Sequence, residues 1–175
     1  MNTLRIASAT EADISEILAL IQGLAIYERL EGLMAATKEN LREALLGEHP
    51  TAEVLLAFAE DECAGFAVYF PTFCAMLGAP GMFLENIFVK PEWRGMGVGE
   101  ALLGHLAVIA EERGYMRIDW RCLVSNEPAI GFYTSQGAVA LSDWTGFRMD
   151  AAAIHDISRK TQAKEIPTNL YEHAS

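Results

Sequence analysis

The sequence has few cysteines, few basic residues and no long apolar run. Its three cysteines, Cys63, Cys74 and Cys122, contain no Cys-x-x-Cys spacing, so we expect free thiols and a cytoplasmic location. No uninterrupted apolar stretch reaches the roughly 20 residues of a membrane-spanning helix, and residues 1–10 lack the pattern of a targeting segment. The four histidines are scattered, and a metal site is therefore not expected.

Positive charge is scarce along the chain. The sequence has 13 Lys and Arg residues against 24 Asp and Glu residues, which gives a formal net charge of -11. A chain of this charge repels phosphate backbones and anionic lipids, so we expect no nucleic acid and no membrane among its partners. The same charge is compatible with a cationic ligand.

The length of 175 residues suits one domain with one hydrophobic core. Hydrophobic periodicity predicts strands at 4–7, 54–59, 65–73, 82–89, 116–123, 138–141 and 146–150, and helices near 14–25, 37–46, 98–112 and 127–137. This order predicts an α/β fold over residues 1–150, in which a mixed sheet has helices on both faces. Residues 151–175 are polar and weakly patterned, and we expect a C-terminal tail there.

A glycine-rich segment follows the strand that ends at Val89. It reads Arg94, Gly95, Met96, Gly97, Val98, Gly99 and Glu100, and it leads into the predicted 98–112 helix. Glycines at alternate positions have no side chain to keep a ligand from the backbone, and a helix N-terminus favours an anion. The guanidinium of Arg94 adds a permanent positive charge suited to phosphate. The segment therefore predicts a phosphate-binding turn.

Spacing distinguishes this turn from two well-known phosphate loops. The Walker A loop requires a lysine after its glycines, and none follows here. The dinucleotide fingerprint would need a glycine where Glu100 stands. A flexible glycine-rich connection without a ligand is the alternative interpretation.

The pattern Arg-x-x-Gly-x-Gly after a strand resembles the acetyl-CoA signature of the GNAT superfamily of N-acyltransferases. The segments 24–28 (LAIYE), 47–50 (GEHP), 84–89 (LENIFV) and 126–133 (NEPAIGFY) are similar to the diamine acetyltransferase branch, which includes spermidine/spermine and thialysine acetyltransferases. The resemblance implies the GNAT fold, acetyl-CoA as co-substrate and a homodimer. It also implies direct transfer of the acetyl group, in a ternary complex, to a primary amine of a small cationic molecule.

The resemblance further implies roles for individual residues. The pantetheine arm of acetyl-CoA would lie along the backbone of Ile87, Phe88 and Val89, as an added strand does. Residues 94–100 would bind the pyrophosphate, and the cofactor site would be completed by Asn126, Pro128, Ala129 and Tyr133. Tyr133 would also be catalytic, because a phenol and a thiol have similar acidity and the phenol can protonate a departing thiolate. A packing role is the alternative for this tyrosine.

Carboxylates would receive the amine. A primary amine is mostly ammonium at neutral pH and has no lone pair, so a carboxylate must bind it and help to remove a proton. Glu85 is the first candidate for this catalytic role, because an acid within an apolar strand needs a partner. The amine pocket would be lined by Tyr27, Glu28, Asp119, Trp120 and Arg121. Glu28 as a solvated helix-end carboxylate and Trp120 as a core residue remain alternatives.

Several positions depart from the diamine branch. Asn86 and Thr145 stand where acids are common, and Val124 and Ser125 replace an acid followed by tryptophan. Each loss weakens a site for multiple positive charges, so we expect a monocationic or compact dicationic amine rather than spermine. Acetylation of a protein or peptide amine is a second candidate function. A non-catalytic acetyl-CoA sensor is a third, although such a sensor would not need both Glu85 and Tyr133.

Overall fold

The described strands of the chain form one mixed five-stranded sheet. The computed structural model describes residues 4–162, so residues 1–3 and residues 163–175 of the expected tail lie outside the described residues. The chain divides into two units, Met1–Leu123 and Val124–Ser175.

The first unit contains β1 (Leu4–Ser8), α1 (Ile14–Glu28), α2 (Lys38–Leu46), β2 (Glu53–Ala59), β3 (Glu62–Cys74), β4 (Ala79–Val89), α3 (Val98–Glu112) and β5 (Ile118–Trp120). The second unit contains α4 (Glu127–Ser135) and α5 (Ala151–Gln162). Single 3-10 turns lie at Glu11–Asp13, Glu31–Leu33 and Pro91–Trp93.

The strands lie in the sheet in chain order, β1-β2-β3-β4-β5. The first four strands pair antiparallel. β5 pairs parallel to β4 because α3 carries the chain back along one face before β5 begins. The predicted mixed sheet with flanking helices is therefore confirmed.

Successive residues of β2 face opposite sides of the sheet, and each side has its own core. Leu55 is buried with Leu102 of α3. Leu56, the next residue, is buried with Ile17 and Leu20 of α1. We call these two sides the α3 face and the α1 face.

Helix boundaries follow the capping residues in the sequence. α3 covers Val98–Glu112, as predicted. The Thr37 hydroxyl oxygen accepts a hydrogen bond from the Asn40 N–H at 3.2 Å at the start of α2. Asn126 Oδ1 accepts from the Ala129 N–H at 3.3 Å at the start of α4. Each contact satisfies one of the amide groups that a helix leaves unpaired at its first turn.

The prediction of strands at 138–141 and 146–150 is wrong. Neither segment forms a strand, and within residues 4–162 the sheet ends at β5. Val139 and Phe147 are largely exposed to solvent. Apolar, β-branched and aromatic residues form a strand only where a neighbouring strand and a core cover them.

Several boundaries also differ from the sequence prediction, and β3 and β4 each begin three residues earlier, at Glu62 and Ala79. β5 is limited to Ile118–Trp120, whereas the prediction covered 116–123. α5 lies at the start of the expected tail, and its first turn is capped by Asp150, whose Oδ1 accepts from the Ala153 N–H at 2.9 Å. The sequence analysis missed this helix, although Ile154 and Ile157 are three residues apart, as on one helical face.

A buried tyrosine connects β2, β3 and the end of α3. The Tyr69 hydroxyl donates to Glu53 Oε2 at 3.0 Å, and Arg113 donates to both oxygens of Glu53 at 2.5 and 2.7 Å. Hydrogen bonding from Arg113 lowers the pKa of Glu53. Burial, together with the hydrogen bond to Glu53, raises the pKa of Tyr69 to about 12. This network holds the residue that ends α3 against the sheet.

Candidate active site

β4 contains a bulge at Glu85. Tyr69 lies opposite Leu84, and the preceding residue of β3, Val68, lies opposite Asn86, so Glu85 is one extra residue in β4. A bulge redirects the side chains that follow it. Glu85 itself is exposed, so the acid that interrupts this apolar strand is not buried.

The bulge changes which residues of β4 face α3. Met82 and Leu84 are buried on the α3 face before the bulge, and Ile87 and Val89 pack against the same core after it. In a regular strand, even-numbered and odd-numbered residues would face opposite sides. Phe88 is buried on the α1 face. The side chains of the predicted pantetheine strand are therefore core residues, and its capacity to bind a ligand lies in its backbone.

β4 and β5 separate at the bulge. Met82–Leu84 pair with Ile118–Trp120, and no described residue of β5 pairs with Glu85–Val89. The two strands are parallel before this point, so the gap opens towards the C-terminal end of β4. The last part of β4 consequently has an open edge on the side of β5.

Backbone groups of Ile87 and Val89 face this open edge. The Lys90 N–H donates to the Ala64 carbonyl at 2.9 Å, which makes these two residues a hydrogen-bonded pair of the antiparallel β3–β4 ladder. Such pairs alternate with pairs whose N–H and C=O groups point away from the partner strand. By the observed register, Val89 and Ile87 take the second kind of position. Their N–H groups therefore point to the side where an extended ligand would bind.

Arg94 connects this edge to the end of α1. Its Nε donates to the Val89 carbonyl at 3.0 Å, in agreement with the outward direction of that carbonyl. Its guanidinium carbon lies 4.3 Å from the centroid of the Tyr27 ring and 5.6 Å from that of Phe88. The bond from Nε uses one of the five donors of the guanidinium. The phosphate contact expected of Arg94 stays a prediction. The contacts described here show that Arg94 also links the end of β4 to the end of α1.

Two glycines of the turn adopt a backbone conformation that favours glycine. Gly95 and Gly97 have φ angles of 74° and 81°, in the left-handed region that favours glycine. Gly97 is the N-cap of α3, where the first amide groups have no partner within the helix. A Cβ added to either glycine would meet no atom within 4 Å. Backbone conformation therefore requires glycine here, and the space beside the turn is open.

The other residues of the turn divide between core and surface. Val98 is buried on the α3 face. Met96 and Glu100 are exposed, and Gly99 is half-buried. Any ligand contact of Val98 would have to come from its backbone.

Tyr27 and Glu28 lie at the end of α1. Tyr27 is partly exposed, and its ring centroid lies 6.4 Å from that of Phe88. Glu28 is half-buried, and burial raises its pKa. The pKa of the Cys122 thiol is raised by its own burial and, to a smaller extent, by the charge of Glu28. The end of α1 and the residues after β5 are therefore close in space.

Glu85 forms an ion pair with Arg121. Glu85 Oε2 accepts from Arg121 Nη2 at 3.3 Å. The guanidinium of Arg121 lies 5.3 Å from the centroid of the Phe83 ring, and Phe70 stacks on Phe83 with centroids 5.3 Å apart. The sequence analysis placed Glu85 and Arg121 in the site but missed these two rings. The available signal was an aromatic residue two positions before Glu85, on the same face of the strand.

The structure separates Trp120 from this group. Asp119 is paired with Arg117 at 2.6 Å. Trp120 lies opposite Leu84 and packs against the core of the α3 face. Neighbouring residues of a strand point to opposite faces, so Trp120 points away from Asp119. This placement favours the interpretation of Trp120 as a core residue.

The second unit contains the remaining predicted site residues. Asn126 is the N-cap of α4, Pro128 is exposed in its first turn, and Ala129 donates its N–H to the Asn126 side chain. Tyr133 is half-buried, and its ring centroid lies 5.3 Å from that of Phe132. The cofactor and catalytic roles of these residues stay predictions.

The described residues contain no group of three or more potential metal ligands. In the same part of the chain, no helix has both the length and the apolar character needed to cross a bilayer. Cys63, Cys74 and Cys122 are free thiols, the first two of them buried.

The chain matches one known protein family over most of its length. The Acetyltransferase (GNAT) family matches residues 16–138 of the chain, a range that includes the open edge of β4, the glycine turn and α4. The protein belongs to this family, whose members use acetyl-CoA, and it is an N-acetyltransferase. The resemblance drawn from the sequence motifs is confirmed.

The relatives of this chain include members of the diamine acetyltransferase branch. Thialysine N-epsilon-acetyltransferase from Sus scrofa is 31% identical over 171 residues, which cover 91% of this chain and 100% of the relative. L-ornithine N5-acetyltransferase NATA1 from Arabidopsis thaliana is 26% identical and covers 89% of this chain and 88% of its own length. Among solved structures, an integron cassette protein of V. cholerae has a TM-score of 0.73 at 26% identity, covering 89% of this chain and 98% of its own.

Proposed function

We propose that this enzyme transfers the acetyl group of acetyl-CoA to a primary amine of a small cationic molecule, by direct attack of the amine in a ternary complex. The nitrogen–carbon bond forms as the carbon–sulfur bond of the thioester breaks. The amine loses a proton and the departing thiolate gains one.

The observation that carries this proposal is the open edge of β4. The β4–β5 pairing ends at Leu84 and Trp120, and the outward amide groups of Ile87 and Val89 follow. A pantetheine arm has two amides with the spacing of an extended chain, and such a chain binds to an open sheet edge by backbone hydrogen bonds. One outward N–H of this edge would also polarise the thioester carbonyl.

The glycine turn supports the same assignment at the other end of the cofactor. The pyrophosphate carries negative charge and would lie at the N-terminus of α3, where unpaired amides and the helix dipole favour an anion. Open space at Gly95 and Gly97 allows close approach. The permanent charge of Arg94 lies between this turn and the β4 edge, held there by its bond to the Val89 carbonyl.

Two carboxylates and a phenol would perform the chemistry. Glu85, exposed at the bulge, helps to take the proton from the amine. Glu28 binds a positive charge of the substrate, and its half-buried position makes that attraction stronger than at an open surface. Tyr133 protonates the thiolate. A general acid or base contributes about 10²- to 10⁴-fold to such a rate.

The pocket favours a small number of positive charges. Polyamine enzymes have acids at or beside three positions that are neutral here, Asn86, Val124 and Thr145. Asp119 is already paired with Arg117, and Glu85 with Arg121. Two of the three carboxylates expected in the pocket, Asp119 and Glu85 but not Glu28, therefore have an arginine partner in the described part of the chain. This leaves little negative charge for a long polyamine, so a monocationic or compact dicationic amine is the proposed substrate.

We further propose that residues 1–150 act as one catalytic domain and residues 151–175 as a C-terminal extension, since the family match crosses the division between the two units. The free thiols support a cytoplasmic enzyme. The likeness to the diamine branch supports a homodimer without nucleic acid or membrane partners, which light scattering of the purified protein would test.

The direct test measures thiol release from acetyl-CoA with a panel of amines. The panel contains putrescine, cadaverine, L-ornithine, L-lysine, thialysine, spermidine, spermine and a short lysine peptide. Thiol release is expected with the compact amines, at kcat/KM values above that of spermine. Spermine as the best substrate would contradict the charge argument, and the peptide as the best substrate would establish the protein-acetylating alternative.

A further inference from the structure

The Val89 carbonyl, which faces the open edge of β4, is already bonded to a side chain. Arg94 Nε donates to this oxygen at 3.0 Å. An extended chain that is added to a sheet bonds both the N–H and the C=O of each outward residue of the edge strand. At Val89 the N–H faces the edge while the C=O is engaged by Arg94. A pantetheine arm that binds there therefore competes with the arginine.

Weak contacts hold the guanidinium in this place. Its partners are a neutral carbonyl and two aromatic rings, with the guanidinium carbon 4.3 Å from the Tyr27 centroid and 5.6 Å from the Phe88 centroid. Arg94 is exposed, and within residues 4–162 it forms no salt bridge. A phosphate offers the same planar fork two parallel charge-assisted bonds, which are roughly twice as strong as bonds between neutral groups. A pyrophosphate near Arg94 would therefore draw the guanidinium away from the carbonyl.

The turn expected to bind the pyrophosphate is next to Arg94 in the chain. Arg94 directly precedes Gly95, and Gly97 is the N-cap of α3. Both glycines have open space beside them, since an added Cβ would meet no atom within 4 Å. The guanidinium can consequently leave the β4 edge and meet an anion at the turn by rotation of its own side chain.

We propose that Arg94 is a specificity-determining residue for the acyl donor: in the free enzyme it closes the pantetheine edge at Val89, and the pyrophosphate of acetyl-CoA removes it. The inference rests on the proposed function and deepens it, because it concerns selection among thioesters that carry the same acetyl group. Acetyl-CoA opens the edge with its own phosphates. A pantetheine thioester without phosphate must break the Arg94 contacts and gains no ionic contact in return.

The test compares the binding of two thioesters, acetyl-CoA and S-acetylpantetheine. Both contain the thioester and the two amides of the arm, and only acetyl-CoA contains the pyrophosphate and the nucleotide. Arg94→Met removes the charge and every donor while it keeps an unbranched stem. It should raise the Kd of acetyl-CoA by about 10- to 100-fold, as for a lost charged partner. It should lower the Kd of S-acetylpantetheine by about 2- to 10-fold, as for one hydrogen bond that no longer has to be broken. Calorimetry measures both constants.

Tyr27→Leu loosens the guanidinium from the edge and leaves it able to bind phosphate. The Kd of both thioesters should therefore fall by about 2- to 5-fold, the size of an exposed cation–π contact. Tyr27→Phe keeps the ring and should change both constants less than Tyr27→Leu.

The matched control is Arg5→Met. Arg5 is also exposed, and its guanidinium carbon lies 4.2 Å from the centroid of the Phe58 ring, but it belongs to β1 at the opposite edge of the sheet. Neither Kd should change in this variant. Circular dichroism checks the fold of each variant.

Hydrogen exchange of the Arg94 Nε–H follows the displacement directly. In NMR spectra this proton gives the arginine Nε–H signal that Arg94→Met lacks. It should exchange slowly in the free protein, where the Val89 carbonyl accepts it, and faster when S-acetylpantetheine is saturating. A purely structural role of Arg94 would not produce this change.

A permanent bond between Arg94 and Val89 is the competing explanation, because a carbonyl oxygen can accept two bonds. Arg94→Met would then weaken S-acetylpantetheine binding or leave it unchanged, and the Nε–H would stay protected in the bound protein. Either result overturns the inference while acetyl-CoA binding leaves the proposed function intact. If neither thioester binds the wild-type chain, the proposed function fails and the inference fails with it.

Discussion

The guanidinium of Arg94 lies 4.3 Å from the centre of the Tyr27 ring while its Nε donates to the Val89 carbonyl at 3.0 Å. One side chain thus joins the turn expected to bind phosphate, the strand edge expected to bind pantetheine and the helix end expected to bind the amine. The residues are 67 positions apart in sequence, from 27 to 94, so no local pattern indicated this contact.

Removing the ring of Tyr27 should destabilise this connection. Tyr27→Leu is expected to lower the free energy of unfolding by about 0.5–1 kcal/mol, the size of an exposed cation–π contact. Tyr27→Phe keeps the ring and should lose less stability than Tyr27→Leu. Urea denaturation followed by fluorescence measures both. Equal losses in the two variants would show that the hydroxyl, and not the ring, stabilises the fold.

The glycine turn is tested by two substitutions of one residue. Gly97→Asp places a carboxylate at the pyrophosphate position and should largely abolish the rise in Tm that acetyl-CoA produces. Gly97→Asn has the same shape and the same positive φ but no charge, and should keep part of that rise. Gly104→Asp, also in open space but within α3, is the control for fold. An undiminished shift in a folded Gly97→Asp variant would refute the phosphate-binding turn.

Tyr133→Phe tests the proton donor. The ring and its packing beside Phe132 remain, so affinity for acetyl-CoA should hardly change. Turnover should fall by roughly 10²-fold, the low end of general-acid contributions, because water partly replaces the phenol. Tyr115→Phe, at the other end of α3 from the turn, is the control. Unchanged kcat, with chemistry shown to limit the rate, would exclude an acid role for Tyr133.

The pH dependence of amine binding follows from Glu28. Burial raises its pKa, so the carboxylate is protonated, and loses its attraction for ammonium, at a higher pH than an exposed glutamate. The KM for the amine should therefore rise as pH falls through that raised pKa, while the amine itself stays charged throughout. Glu28→Gln should raise KM about 10-fold near neutral pH, as expected for a lost charged partner. The variant should also lose the rise of KM at low pH. Steady-state kinetics over pH measures both.

The raised pKa of Glu28 also predicts how the stability of the fold changes with pH. A carboxyl whose folded pKa lies above its unfolded pKa binds more protons in the folded state, so the stability of the fold decreases as pH rises through that interval. Glu28→Gln should consequently raise Tm near neutral pH while it impairs binding. A lower Tm in this variant would show that the charged form has a stabilising partner.

Glu53 should behave in the opposite way. Arg113 lowers its pKa, so the ionised form is stabilised in the fold, and this stability is lost as pH falls through the lowered pKa. The difference in unfolding free energy between wild type and Arg113→Gln should be largest near neutral pH and shrink below about pH 4. Arg5→Gln removes from β1 a positive charge that forms no salt bridge within residues 4–162. This variant should show no such convergence.

Local features of the sequence predicted the elements that carry the proposed cofactor site. The positive φ angles of Gly95 and Gly97 and the apolar stripe of α3 depend on residues close in sequence, so the turn and the helix were predicted with their correct bounds. The motifs around them were sufficient to identify the family. The strands predicted at 138–141 and 146–150 show the limit of this approach, because a strand requires a partner that its own residues do not specify.

The sequence by itself determined the family, the mixed sheet, the glycine turn and the residue types of the site, because these follow from short-range periodicity, glycine conformation and motif spacing. The tertiary structure alone decided that Glu85 forms a bulge, that β4 and β5 separate after Leu84, and that Arg121 pairs with Glu85 over Phe83. Each of these depends on contacts between residues far apart in the chain, where strand register and the direction of a side chain are set by the packing of both partners.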